Sequence, residues 1–177
     1  QASESSSIQP VVELMDDRDP RVQYGPAFHN WEDADLFAGT EKYADLTVDS
    51  YSDNDATARI TFNGRGIEIY GLKSSELGLA EVQIDGKKVG DLDFHTSGET
   101  EKSALIGRFT GLPDREHLLT LTVKKEHLNR GNERSKISID YFKIYPGQGA
   151  TVEKMDDRDP RIHYGSLFKD WSESGLY

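Results

Sequence analysis

The segment Val12-Glu-Leu-Met-Asp-Asp-Arg-Asp-Pro-Arg-Val-Gln-Tyr-Gly25 recurs as Val152-Glu-Lys-Met-Asp-Asp-Arg-Asp-Pro-Arg-Ile-His-Tyr-Gly165, at a constant offset of 140. Aligned without gaps, residues 12–37 and 152–177 agree at 14 of 26 positions. Phe28, Trp31 and Leu36 match Phe168, Trp171 and Leu176, and Phe37 stands opposite Tyr177. Solenoid units repeat every ~20 to 50 residues, so a period this long marks tandem copies of a whole domain. The chain reads as one module over 11–145, a turn-rich linker Pro146-Gly-Gln-Gly-Ala over 146–150, and the truncated start of a second tandem copy over 151–177.

One module is enough chain for one hydrophobic core, since domains cluster at about 100–150 residues. The surplus of 32 acids over 21 bases gives a net charge of −11, which repels phosphate backbones and anionic lipid. Nucleic acid is therefore excluded as a partner, and a neutral or cationic partner is expected. With no cysteine there is no disulfide framework, zinc-thiolate site or cysteine nucleophile. No apolar run approaches the ~20 residues of a membrane helix, so no membrane insertion is expected. The opening Gln1-Ala-Ser-Glu-Ser-Ser-Ser reads as a polar lead-in rather than a signal peptide.

Within the module, alternation of period two dominates. Ala58, Ile60 and Phe62 alternate with polar residues, as do Ile67 and Ile69, Val82 and Ile84, Leu119, Leu121 and Val123, and Ile137, Ile139 and Tyr141. Turn signals at Asn63-Gly-Arg-Gly, Asp85-Gly and Gly111-Leu-Pro-Asp punctuate them. Many short strands so spaced predict an all-β fold, an antiparallel β-sandwich of jelly-roll type. Eight strands are expected, near residues 42–48, 56–62, 66–72, 80–85, 89–94, 103–109, 117–125 and 136–145. Up-and-down chain direction then gathers the tight turns at one end and the longer connections, 49–55, 73–78, 95–102 and 126–135, at the other. Binding residues favour longer loops on a rigid scaffold, so the second end is the expected site.

The opening Asp16-Asp-Arg-Asp-Pro-Arg-Val-Gln-Tyr-Gly with Trp31, then Ala58 to Gly71, Val82-Gln-Ile-Asp-Gly, His117-Leu-Leu-Thr-Leu-Thr-Val and Ile139-Asp-Tyr-Phe, resembles the galactose-binding-domain-like jelly rolls. These occur as carbohydrate-binding modules in large secreted bacterial glycoside hydrolases. Tandem, acidic, cysteine-free copies look most like the modules of Gram-positive cell-surface enzymes of the streptococcal surface β-galactosidase type. The resemblance implies a secreted or cell-surface, non-catalytic module. Its partner would be a neutral glycan carrying galactose, lactose or N-acetyllactosamine. A sugar in such modules docks at the loop end on an aromatic face with polar side chains beside it.

Candidate sugar contacts are Trp31, Tyr51, His95, His127, Asn129, Arg130, Asn132 and Arg134. Trp31, among polar neighbours, is either a stacking platform or the anchor of a long connection; Phe94 reads as core. Asp16 and Asp17, with Asp140, are candidates for a structural calcium site, because calcium takes several carboxylate and carbonyl oxygens. The other reading of Asp16-Asp17-Arg18-Asp19 is a turn before Pro20, with Arg18 or Arg21 pairing the acids. No nucleophile elbow, phosphate loop or dinucleotide fingerprint is present, and a sandwich this small offers no deep cleft for paired carboxylates. A second class of function stays open: a structural spacer or protein-binding adhesion repeat of a bacterial surface protein.

Overall fold

A computed structural model describes residues 11–46, 51–125 and 135–147. Eleven strands occur among them: β1 (Glu13–Asp16), β2 (Val22–Tyr24), β3 (Phe28–Glu32), β4 (Thr40–Asp45), β5 (Thr57–Gly64), β6 (Gly66–Lys73), β7 (Leu79–Ile84), β8 (Lys87–Asp93), β9 (Glu101–Phe109), β10 (Arg115–Val123) and β11 (Lys136–Tyr145). A short 3-10 turn, Phe37–Gly39, precedes β4.

The strands form two antiparallel sheets. One has the order β3-β4-β11-β6-β9, with β1 also paired to β11; the other has the order β2-β5-β10-β7-β8. β11 is the hub of the first sheet. Its residues Lys136 to Ile139 pair with β4, and Tyr141 to Ile144 pair with β1, so one edge of it serves two partners end to end. The inward residues of both sheets make one core. Ala58, Ile60 and Phe62 of β5 and Leu119, Leu121 and Val123 of β10 are at most 2% exposed, as are Ile67 and Ile69 of β6. Each such aliphatic or aromatic side chain withdrawn from water contributes about 1.5–3 kcal/mol, which is how a chain without disulfides holds this sandwich together.

The eight strands expected from alternation are all present. The strand expected over 42–48 instead spans Thr40–Asp45. Three further strands lie in the opening segment, where a turn and a long connection were expected. β1, β2 and β3 are four, three and five residues long, too short for alternation to declare itself. Another difference lies in β11, where Tyr141 was read as facing inward with Ile137 and Ile139. The ladder to β6 shifts register between Ile139 and Tyr141. Across that bulge the buried set changes from Ile137 and Ile139 to Phe142 and Ile144. Tyr141 is thereby turned to the outer face, where it stacks on Tyr70 at 4.4 Å and on Phe37 at 4.6 Å.

The connections divide between the two ends as parity requires. At one end Asp85 and Gly86 have φ of 52° and 79°, the pair of left-handed conformations a two-residue type I′ hairpin needs. The Asp85 carboxylate accepts from Leu118 N (2.9 Å) and contacts the buried His117 Nδ1 (2.7 Å), while His117 Nε2 meets the Pro113 carbonyl. At the other end Gly78 N donates to Lys136 O, Phe94 N to Gly78 O and Lys124 N to Leu79 O. Phe94 is fully buried. Its ring packs beside Gly71, where a Cβ would lie 2.1 Å from the Ser138 carbonyl oxygen, so that crossing of β6 and β11 admits no side chain.

Candidate functional site

β4 builds a concavity on the outer face of the larger sheet. Its alternation buries Ala44 in the core and turns Glu41, Tyr43 and Asp45 outward. In the antiparallel register Trp31 of β3 lies opposite Glu41, His29 and Ser138 lie on either side of Tyr43, and Lys136 of β11 lies opposite Asp45. Directly opposed residues project from the same face about 5 Å apart, so these rows form one surface. The result is a groove of about 440 Å³ lined by Trp31, Asp33, Leu36, Glu41, Tyr43, Asp45, Leu72, Leu77, Thr100, Lys102, Lys136 and Ser138.

The groove has an aromatic lip and a polar floor. Trp31 is 54% exposed, an unusual cost for the largest apolar side chain, while Glu41 is 6% and Ser138 is 1% exposed. Glu41 Oε2 and Ser138 Oγ are buried without a hydrogen-bond partner among the described residues. Buried polar atoms are normally satisfied, so these two leave hydrogen-bonding capacity on the groove floor. Burial pushes the Glu41 carboxyl above its ordinary value, partly offset by the neighbouring Ser138 hydroxyl; Asp140 and Asp33 add to the rise, and Lys102 opposes it. The two lysines are already engaged. Lys102 Nζ lies 2.7 Å from Asp33 and 3.2 Å from Asp35, and Lys136 Nζ lies 3.6 Å from Asp45 and 3.9 Å from Glu76. The hydrogen bond from Lys102 holds the Asp33 carboxyl below its ordinary range.

Of the residues singled out from sequence, Trp31 lines this groove. It does so from strand β3, not from a connection. Tyr51 is half-buried at the margin of the core, where its carbonyl accepts from Lys125 Nζ. His95 sits beside Ser74 in an isolated bridge, its backbone N–H donating to the Asp93 carboxylate at 2.8 Å and its Nδ1 buried without a partner. Neither lines the groove. His127, Asn129, Arg130, Asn132 and Arg134 lie outside the described residues. At the loop end, a smaller concavity of about 340 Å³ is lined, among the described residues, by Asp53, Glu81, Thr122, Val123, Lys124 and Lys125. Glu41, Tyr43, Lys102, Lys136 and Ser138 were missed by sequence reasoning. The signal for them was Glu41-x-Tyr43-x-Asp45, an outward polar and aromatic stripe on a strand, which reads in isolation like any solvated face.

Asp16, Asp17 and Asp140 come together where β1 meets the bulge of β11. Asp17 N donates to the Asp140 carbonyl (3.1 Å), and Asp17 Oδ1 accepts from the Thr40 hydroxyl (2.6 Å). Asp140 Oδ2 accepts from Ser103 Oγ (2.5 Å), and Ser103 holds a strained φ of 50° to reach it. Asp16 Oδ1, Asp17 Oδ2 and Asp140 Oδ1 are buried with no hydrogen-bond partner in contact among the described residues. Burial, with the Asp16 charge adding to it, pushes the Asp17 carboxyl up to about 7, and burial raises Asp140 as well. Bare carboxylate oxygens suit a hard cation in kind, but no group of three acidic, histidine or cysteine side chains among the described residues is placed to hold a metal ion. The flanking residues form the turn that the other reading called for: Val22 N bonds Asp19 O, Arg21 pairs with Asp19 (2.9 Å), and Arg18 pairs with Asp16 (3.0 Å).

No protein-family model matches the chain. Two curated relatives do, both from Flavonifractor plautii. An A type blood alpha-D-galactosamine galactosaminidase is 23% identical over 96% of this chain, and an A type blood N-acetyl-alpha-D-galactosamine deacetylase is 26% identical over 63% of it. The matched regions span 14% and 13% of those proteins, so the chain corresponds to a small part of each. Among solved structures, a Paenibacillus xanthan lyase matches 78% of this chain with 14% of its own, at 16% identity and a TM-score of 0.55. A two-domain esterase (CEX) active on acetylated mannans matches 84% of this chain with 39% of its own, at 15% identity and a TM-score of 0.54. The all-β sandwich is thus a fold also found within these two proteins. No helix among the described residues is long and apolar enough to cross a membrane.

Proposed function

We propose that this chain is a non-catalytic carbohydrate-binding module that holds a galactose-type glycan in the groove on the outer face of β3, β4 and β11. The observation that carries the reading is an exposed indole, Trp31, directly across from the bare Glu41 carboxylate oxygen, with Tyr43 and Ser138 alongside. A hexose has an apolar face of C–H groups and an equator of hydroxyls, so it fits an aromatic plane beside unsatisfied polar atoms. Two relatives named for galactosamine sugars support the galactose configuration. In the groove Asp33 and Asp45 each hold a lysine, leaving Glu41 without a free carboxylate facing it across a glycosidic bond, which supports binding over hydrolysis.

In the parent protein the module would belong to a tandem array, with copies following one another at the 140-residue period and the next opening at 151–177. Its mechanism is proximity: weak single-site binding tethers a secreted or cell-surface glycoside hydrolase to its glycan, and repeated copies multiply the effect. The test is titration of the chain with galactose, lactose and N-acetyllactosamine, alongside Trp31→Ala. Trp31 is more than half exposed, so the variant should stay folded with stability within about 1 kcal/mol of wild type, while binding falls by at least about tenfold. If the folded wild-type chain binds no saccharide, the spacer or adhesion reading replaces this one.

A further inference from the structure

We propose that the groove selects an amino sugar, with the sugar's ammonium group seated between the Glu41 carboxylate and the Trp31 indole. This rests on reading the groove as a saccharide site and adds the charge of the sugar to it. Three carboxylates line the groove, Asp33, Glu41 and Asp45, against two ammonium groups, Lys102 and Lys136. Each lysine is held between two acids, Lys102 by Asp33 and Asp35, and Lys136 by Asp45 and Glu76. Glu41 is left with no ammonium on Oε2, although it is the most deeply buried of the three lining acids. Lys102 acts on it only from beyond contact distance, and an acid withdrawn from water with no cation in contact is a poor solution for the free protein and a good one for a cationic ligand.

The register supplies the second half of the recognition. Trp31 is the cross-strand partner of Glu41, so indole and carboxylate rise from the same face of adjacent strands. An indole face is the best natural cation–π surface, and a carboxylate beside it offers a charge-assisted hydrogen bond to the same ammonium. A neutral hydroxyl would fill the hydrogen-bond vacancy on Oε2 but leave the charge uncompensated. The Tyr43 phenol and the Ser138 hydroxyl, next along the floor, remain for the hydroxyls of the ring. The same excess of acid turns away uronic acids and sulfated sugars, as does the net charge of −11.

The experiment titrates the chain at a series of pH values from mildly acidic to neutral, because the amine must be protonated while the Glu41 carboxyl, raised by burial, must be ionised; the ligands are methyl α-galactosaminide, its N-acetyl counterpart, methyl α-galactoside and n-butylamine. The galactosaminide should bind at least about tenfold more tightly than either uncharged glycoside, a fold-change in keeping with one charge-assisted contact and one cation–π contact. n-Butylamine, lacking the ring, should bind far more weakly. In Glu41→Gln, nearly the same shape, the ratio of galactosaminide to galactoside affinity should fall to about one, whatever the change in galactoside binding itself. Equal binding of the N-acetyl or neutral glycoside by the wild type overturns the proposal, as does a preference that survives in Glu41→Gln. So does n-butylamine matching the sugar, which would mean an ammonium site without saccharide recognition. If the folded chain binds none of the glycosides, the saccharide reading itself falls.

Discussion

Asp17 offers a direct measure of how the acidic cluster is stabilised. It is 1% exposed, and its carboxyl is pushed from 3.8 up to about 7, chiefly by burial, with the Thr40 hydroxyl opposing and Asp16 reinforcing the rise. In the unfolded chain the same group titrates near 3.9. The folded state therefore binds this proton more tightly, and the stability it confers is complete below about pH 4 and lost as pH rises through about 7. The step from 3.8 to about 7 corresponds to about 4 kcal/mol at 1.36 kcal/mol per pH unit. Asp17→Asn keeps an acceptor for Thr40 and removes the titration. Between pH 4.5 and pH 8 the difference in unfolding free energy between variant and wild type should move by about 2–4 kcal/mol in the variant's favour. Urea denaturation followed by tryptophan fluorescence, in EDTA across that range, reads it directly. Parallel curves for the two proteins would refute the assignment. Repeating the series with calcium chloride tests the cation reading, because a bound cation would ionise Asp17 and flatten the wild-type curve.

Gly71→Ala places a Cβ 2.1 Å from the Ser138 carbonyl oxygen and 3.2 Å from the Phe94 ring, so it should cost about 3 kcal/mol or more in urea denaturation; a loss below about 1 kcal/mol would show that β6 and β11 can separate there. Asp85→Asn retains an acceptor for Leu118 N but weakens the contact with His117, and should cost about 1–2 kcal/mol near neutral pH. His117 holds the Asp85 carboxyl below its ordinary value, so this stabilisation is present above the usual carboxylate range and is lost on acidification below it. The two proteins should converge at low pH, and a constant difference would argue against a stabilising role for the ionised Asp85 carboxylate. A two-module protein should be retained on a galactose-bearing surface about 100-fold more strongly than one module if both grooves can engage at once; surface plasmon resonance at matched module concentration decides it.

The parts of the fold that were legible were those in which one residue type repeats against a strict alternation. β5, β7 and β10 each bury every second residue over most of their length and leave the alternate ones half-buried or exposed, and their turns carry Asn-Gly and Asp-Gly, so their positions and the division of turns between two ends followed from the chain alone. β1 to β3 were not legible, since four residues or so give alternation nothing to repeat. Tyr141 was assigned to the wrong face because a bulge changes parity without leaving a composition signal. Of the candidate site, Trp31 stood out by its chemistry. The company it keeps did not, because Glu41, Lys102 and Ser138 are far apart in sequence and ordinary in type.

What the chain determined by itself is local and periodic or a sum: the 140-residue repeat, the strand-and-turn rhythm, the net charge of −11 and the absence of thiols. These depend on neighbours along the backbone or on sums over all residues. Tertiary structure decided where β3, β4 and β11 lie beside one another, and that placement adds a candidate site on a sheet face, reaching to Leu77 and Thr100 of the longer connections. Whether a carboxylate is solvated or left bare on a groove floor depends on which strands pair, and in what register. Glu41 opposite Trp31 is a fact about a ladder between strands, and no pattern within either strand contains it.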